Sequence, residues 1–216
     1  MDYIQEFEKR VKQLDVDSAA ENRATFVAAL REGIREEGEI SRLLSILAFV
    51  EGCDYSKHPG GGATSAYVNH LLRVANFSLE FFTENKEEAV VLSLVHNMYE
   101  VSDVSEAGLA EVVGEGLARA VTLLSVDRSR QWDAGYKAGY YKTLEESGPV
   151  TSGIKVLDKL DNIFLIGRQS DKDIQRKYLK EIEEFVIPLA RGNQSMPGVA
   201  RLMEEMLSSA RNVCEV

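Results

Sequence analysis

The most informative segment of this 216-residue chain reads Ile154-Lys155-Val156-Leu157-Asp158-Lys159-Leu160-Asp161-Asn162-Ile163-Phe164-Leu165. Wound as a helix, it carries apolar residues on nearly every face, which indicates a helix buried deep in the protein. An acidic side chain is costly there unless it is paired or bound to a metal. Asp158 is therefore a candidate functional residue, and Asn162, one turn later, faces the same way.

The rest of the chain also predicts helices, because apolar residues recur at three- and four-residue spacing and alternating runs are scarce. We expect an all-α bundle of about nine to eleven helices. Two or three helices should lie within residues 2–51, followed by helices at about 64–82, 89–99, 132–146, 151–168, 171–190 and from 197 onward, with two short ones between 105 and 126. Asn85 should cap the helix that carries 89–99, in a capping box with Glu88.

The three histidines are the second candidate group, and two of them stand in apolar helices. His70 shares a helical face with Val74 and Phe77, and His96 follows a run of valines and leucines. Each histidine taken alone could be a core residue satisfied by one hydrogen bond. Two imidazoles and the Asp158 carboxylate, brought together by three buried helices, would suit a divalent cation such as Mn, Fe or Zn.

Composition limits the functional classes. The net charge of −10 repels phosphate backbones and argues against a nucleic-acid polymer as partner, although a small anionic ligand needs only a few local cations. No apolar run approaches the length of a membrane span, and the first residues do not form a secretory signal. Cys53 and Cys214 stand far apart, without the spacing of a metal site or disulfide framework. We therefore expect a cytoplasmic protein with no membrane partner.

Three motifs, in this order and spacing, resemble those of the HD superfamily of metal phosphohydrolases. The chain is most similar to the hydrolase domain of the Rel/SpoT family, which removes the 3′-pyrophosphate of (p)ppGpp. The family's "His-Pro-x-x-Val-Ala" is matched by residues 70–75, its "Leu-Leu-His-Asp-x-x-Glu-Asp" by 94–101, and its "Ile-Lys-Leu-Ala-Asp-Arg-Leu-His-Asn-Met" by 154–163. The resemblance covers roughly residues 57–190 and implies one all-α domain over 1–216, with N-terminal helices (1–52) packed on an HD-type core (53–195) and a C-terminal helix (196–216).

The resemblance also implies a site. Its metal ligands would be His70, His96, Asn97 and Asp158, and Glu100 would be the catalytic acid or base. The expected cofactor is a divalent metal, with Mn favoured over Fe, Zn, Mg or Ni, and the expected partner is a small anionic nucleotide. A homodimer is compatible with the sequence. The assigned substrate-binding residues are Lys57, His58, Arg73, Lys142, Lys155 and Asn162, although a glycine loop at 60–62 or a lysine reaching from a buried helix to water also has a structural explanation.

Two positions depart from the family. Asn97 replaces the aspartate that ligates the metal as an anion, and Val101 replaces the aspartate of the Glu-Asp pair. An asparagine oxygen still coordinates, but it is neutral and therefore a weaker ligand for a hard cation. Two hypotheses follow: a metal-dependent phosphohydrolase acting on a nucleotide pyrophosphate, or a degenerate HD protein that binds a nucleotide or a protein partner without turnover.

Overall fold

The computed structural model describes residues 19–57 and 64–214. The regular secondary structure of these residues is all helical, with no strand. The α-helices are α1 (Ala19–Gly33), α2 (Glu37–Glu51), α3 (Thr64–Phe81), α4 (Lys86–Val95), α5 (Met98–Val101), α6 (Glu106–Val113), α7 (Glu115–Leu124), α8 (Ala134–Glu146), α9 (Pro149–Phe164), α10 (Lys172–Glu181), α11 (Ile187–Gly192) and α12 (Val199–Cys214). A 3-10 turn, Ile166–Arg168, follows α9, and a π-helical segment, Ile182–Val186, joins α10 to α11. The predicted all-α class is confirmed.

Helix α9 forms the centre of the fold, as its sequence predicts. It begins after Gly148, whose φ of 94° lies in the region that glycine adopts readily, and Pro149 occupies its first turn, where no N–H is needed. Its buried residues number 13 of 16. It contacts α3, α4, α7, α8, α11 and α12. Residues carried by α9 can therefore meet residues from both halves of the chain.

The N-terminal helices pack on the helices that carry the two histidines. Helix α1 contacts α3, and α2 contacts both α3 and α4. The apolar stripes predicted for them are buried, with Phe26 and Leu30 on α1 and Leu43 and Leu47 on α2 fully inaccessible. The buried apolar side chains of all these helices form one connected cluster.

Two predicted details are wrong. Asn85 precedes α4 but its side chain makes no capping hydrogen bond, so the capping box with Glu88 is not formed. Asn85 instead adopts a left-handed conformation, φ 55° and ψ 36°, which asparagine tolerates better than most residues. The helix predicted to carry 89–99 ends at Val95, and a separate turn, α5, begins at Met98.

The helix predicted at 171–190 begins at Lys172 and runs to Gly192, with the π-helical segment in its middle. Asp171 caps its start by accepting hydrogen bonds from the Asp173 and Ile174 amides. Pro188 lies just after the π-helical segment, and proline within a helix has no N–H to donate and clashes with the preceding turn. A wider turn relieves that clash.

Within the described part of the chain, no helix has both the length and the apolar character that a membrane span requires.

Candidate metal centre

His70, His96 and Asp158 come from three helices that pack against one another. His70 lies on α3, His96 directly follows α4, and Asp158 lies on α9. Each of these three helices contacts the other two. The predicted meeting of three residues far apart in sequence is therefore confirmed, and it follows from the central position of α9.

The ligand atoms of these three residues all lie within 4.8 Å of one another. His70 Nε2 is 3.2 Å from His96 Nε2 and 3.4 Å from Asp158 Oδ1, and His96 Nε2 is 3.7 Å from the same oxygen. His96 and Asp158 are buried, and the His70 side chain is 12% exposed. Two imidazole nitrogens and one carboxylate oxygen, facing a common point, form a donor set suited to a first-row divalent cation.

The His96 ring is oriented by the end of helix α4. Its Nδ1 lies 2.6 Å from the Ser93 carbonyl oxygen, which can only accept, so Nδ1 carries the hydrogen and Nε2 presents its lone pair to the cluster. Asn97 then leaves helical geometry, with φ −112° and ψ 9°. The helix is therefore interrupted after His96, and Glu100 lies on the separate turn α5.

The carboxylate of Asp158 has two further partners, both on α9. Lys155 Nζ is 3.1 Å from Oδ2, and Asn162 Nδ2 donates to Oδ1 over 2.8 Å. Lys155 is 2% exposed, so its ammonium is a buried counter-charge. The structure thus places these two predicted substrate-binding residues against the ligand carboxylate.

The side chains of the cluster shift one another's pKa values. Burial lowers the pKa of the His70 imidazole, but hydrogen bonds to Asp158 and Asp161 outweigh burial and raise that pKa to about 9. Burial keeps the pKa of His96 below its ordinary value. Burial acts to raise the pKa of Asp158, but Lys155 and the two histidines overcome it and hold that pKa well below its usual range.

Glu100 holds a loop as well as lying near the cluster. One of its carboxylate oxygens accepts from the Val126 amide over 3.0 Å, and the other accepts from Arg128 Nε over 2.7 Å. Its side chain is 6% exposed, whereas Arg128 is largely exposed. The residues after α7 are thereby attached to α5. The catalytic role of Glu100 stays a prediction.

The remaining predicted substrate-binding residues are scattered. Lys57 is exposed, pairs with Asp103 and donates to the Ser102 carbonyl. Lys142 is 74% exposed on α8, and its nearest acidic partner is Glu146 at 4.0 Å. Arg73 is buried and bound to Asp161. His58 and the glycine loop lie outside the described residues.

Apart from the cluster, the structure has a cavity of about 320 Å³, which is lined by none of the three candidate ligands. Lys155 connects the two, because its Nζ contacts Asp158 and also lies 5.7 Å from the ring centre of Tyr140, which lines the cavity. The charged lining residues are Arg128, Lys137, Lys159 and Glu181, and the aromatic ones are Trp132, Tyr136, Tyr140 and Tyr178. Lys137 and Lys159 are both paired with Glu181, and Arg128 is paired with Glu100, so these five groups together carry one net positive charge.

Glu181 organises the cations of this cavity. It accepts a hydrogen bond from Lys137, another from the Tyr141 hydroxyl over 2.7 Å, and lies 3.2 Å from Lys159 Nζ. Burial acts to raise its pKa, but Lys159 and Lys137 lower it to about 2. Sequence reasoning missed this residue because Lys180 to Glu184 contains three glutamates and reads as a solvated face.

We expect Glu181→Gln to reduce the loss of stability at acid pH. The pKa of Glu181 is about 2 in the folded protein against 4.5 ordinarily, so its stabilising effect is complete above pH 4.5 and is lost as the pH falls towards 2. Urea unfolding should show the unmodified protein losing about 2 kcal/mol more than the variant between about pH 5.5 and about pH 3. Exposed Glu145→Gln is the matched control, and equal losses in all three proteins would contradict the assignment.

We expect Asn97→Asp to strengthen Mn²⁺ binding roughly tenfold, because it adds an anionic oxygen directly after the ligand His96. Titration of free Mn²⁺ by electron paramagnetic resonance measures the affinity. Asn85→Asp adds the same charge at an exposed position and should leave the affinity unchanged. An unchanged or weaker affinity in the Asn97 variant would count against this residue as a ligand position.

No protein-family model matches the chain, and no curated protein is significantly similar to it. The class to which the protein belongs therefore has to be argued from the site itself.

Proposed function

We propose that the protein is a metal-dependent phosphohydrolase of the HD type, acting on a nucleotide pyrophosphate with (p)ppGpp as the leading substrate. The observation that carries this proposal is the convergence of His70, His96 and Asp158 on one buried point. The motif resemblance, which matches these same three residues in order and spacing, adds to it.

The residues present fit a divalent cation. Both histidines direct Nε2 to the common point because their Nδ1 atoms are engaged, one by Asp161 and one by the Ser93 carbonyl. Asp158 contributes the anionic oxygen. A cation held there would polarise a phosphoryl oxygen and lower the pKa of a water molecule.

The neighbouring cavity supports a nucleotide as substrate. Lys137, Lys159 and Arg128 offer positive charge to phosphate oxygens, and the aromatic rings offer faces on which a base can stack. Lys155 links this cavity to the cluster, because its Nζ contacts Asp158 Oδ2 and lies 5.7 Å from the ring centre of Tyr140. Glu100 would accept or deliver the proton.

The second candidate is a degenerate HD protein that binds a nucleotide or a protein partner without turnover. Neutral Asn97 and apolar Val101 stand at the family's two aspartate positions, and the Val101 side chain is buried. Both oxygens of Glu100 are also engaged by Val126 and Arg128, which leaves that carboxylate less free to exchange a proton.

The deciding experiment is elemental analysis of the purified protein, followed by a hydrolysis screen with added Mn²⁺. Stoichiometric metal and release of pyrophosphate from ppGpp or pppGpp would support the phosphohydrolase. Cleavage of GTP, dNTPs or NADPH instead would keep the reaction class and change the substrate. Metal binding with no cleavage of any of these would favour the degenerate protein.

We expect Glu100→Gln to lower hydrolysis by roughly 10²- to 10⁴-fold while metal content stays the same, because the amide cannot exchange a proton near neutral pH. Arg128→Gln is the control, and its turnover is compared at saturating substrate because Arg128 also lines the cavity. It breaks the same ion pair but leaves the carboxylate. If Glu100 only fastens the loop after α7, both variants should lose melting temperature to a similar degree and keep most of their turnover.

A further inference from the structure

Asp161 is the most completely buried acidic residue on α9, with none of its surface exposed. It stands three positions after Asp158 in a segment that is otherwise packed into the apolar core. A carboxylate in such a place costs several kcal/mol unless it is paired and hydrogen-bonded, since burial removes its hydration. Its partners should therefore reveal what it does.

Its first partner is Arg73, on α3. Arg73 Nε donates to Oδ1 over 2.7 Å, and one of its terminal nitrogens donates to Oδ2 over 2.9 Å. This two-point contact fixes the plane of the carboxylate as well as its position, because the guanidinium presents its donors in a rigid fork. Arg73 is itself 7% exposed, so the pair is shielded from competing water.

Its second partner is the ring of His70, whose Nδ1 lies 2.8 Å from Oδ2. Arg73, whose guanidinium is always charged, donates to both oxygens of the carboxylate and so holds it in its acceptor form. An ionised carboxylate only accepts, so Nδ1 must carry the hydrogen. Nε2 of the same ring then points at His96 and Asp158 and becomes the nitrogen that can ligate.

The two histidines are thus oriented by different devices. His96 donates to a backbone carbonyl of its own helix, a neutral acceptor three residues away. His70 donates to a charged acceptor on another helix, which is itself clamped by Arg73. A charged acceptor at one imidazole nitrogen makes the other nitrogen of that ring a stronger electron donor than a neutral acceptor does.

We infer that Asp161, clamped by Arg73, is a positioning residue of the metal centre that fixes the ring of His70 for ligation through Nε2 and strengthens it as a ligand. The inference rests on the proposed function, because it presupposes that the cluster of His70, His96 and Asp158 binds a cation. The Asp161 carboxylate also adds negative charge close to a site in which neutral Asn97 follows the ligand His96. Arg73 acts on the centre through Asp161.

The test compares two variants in which the buried charges are removed together, so that neither leaves an isolated charge in the core. Arg73→Met with Asp161→Asn keeps an oxygen that can accept from Nδ1. Arg73→Met with Asp161→Leu keeps no acceptor. Calorimetry with Zn²⁺ gives the affinity, long-range ¹⁵N–¹H spectra of the zinc-loaded protein report which nitrogen of His70 carries the hydrogen, and thermal melts of the metal-free proteins give their stability.

The leucine variant should bind Zn²⁺ roughly 10- to 100-fold more weakly, and its His70 ring should lose the single form with hydrogen on Nδ1. The asparagine variant should keep that form and lose less affinity. If the leucine variant keeps both the affinity and the ring form while only its melting temperature falls, Asp161 merely ties α3 to α9 and the inference is wrong.

A failure of the proposed metal site looks different, because the unmodified protein would then bind no Zn²⁺ or Mn²⁺, and this inference would fall with it. A protein that binds metal but hydrolyses nothing would overturn the proposed reaction and leave this test of Asp161 intact. Should the leucine variant not fold, Arg73→Lys provides the comparison. It keeps both charges but loses the two-point clamp, so the affinity should fall several-fold. If a folded Arg73→Lys protein keeps the Zn²⁺ affinity and the His70 ring form of the unmodified protein, the two-point contact of Arg73 has no role in metal binding.

Discussion

Asp158→Asn should abolish measurable metal binding and also destabilise the metal-free protein by about 3–5 kcal/mol. Metal binding is lost because Asp158 provides the only carboxylate among the three converging ligands. Stability is lost because Lys155, which is 2% exposed, no longer has the carboxylate that lies 3.1 Å from its ammonium. Mn²⁺ titration and urea unfolding of the metal-free protein measure the two effects separately.

Lys155→Met combined with Asp158→Asn separates those two effects. Removing both charges should restore most of the lost stability, since no isolated charge remains in the core. It should not restore metal binding. An Asp158→Asn protein that binds Mn²⁺ as tightly as the unmodified protein would show that the cluster is not the metal site.

Gly153→Val should lower the free energy of unfolding by about 3 kcal/mol, or roughly 6–12 °C in melting temperature for a protein of this size. A Cβ at this position would lie 2.5 Å from Phe82 Cζ and 2.9 Å from Met196 Cε. Phe82 and Met196 are both almost fully buried, so the neighbours have little room to move. Differential scanning calorimetry measures the shift.

Gly139→Ala is the matched control. It also lies within a helix, α8, but a Cβ there would meet nothing within 4 Å. We expect this variant to be up to about 1 kcal/mol more stable, because alanine favours the helix over glycine. A Gly153→Val protein as stable as the unmodified one would mean that α9 is not held closely against Phe82 and the segment before α12.

The sequence was sufficient to predict the centre of the fold and the meeting of its three candidate ligands. The burial of α9 follows from residues 154–165, because a helix that is apolar on every face must be buried and an acid within it needs a partner. The meeting of the three ligands was predicted from the order and spacing of the motifs as well as from the buried setting of Asp158. The interruption at Asn97 was not predictable in the same way. Apolar residues continue through it as Leu94, Val95 and Met98, and neither glycine nor proline marks the break.

The surroundings of the ligands were harder to predict than the ligands themselves. Arg73 and Asp161 are 88 positions apart, and nothing in either helix alone indicates that they pair. Arg73 was assigned to substrate binding, whereas the structure bonds it to Asp161. Contacts between distant helices depend on how the helices pack, which the periodicity of one segment does not specify.

The buried ammonium of Lys155 has a consequence for the metal-free protein. Domains that depend on a bound ion for folding unfold when a chelator removes it. Here the carboxylate already has an internal counter-ion, and one large apolar cluster holds the helices together. We therefore expect the fold to persist when a chelator removes divalent ions, in contrast to such domains.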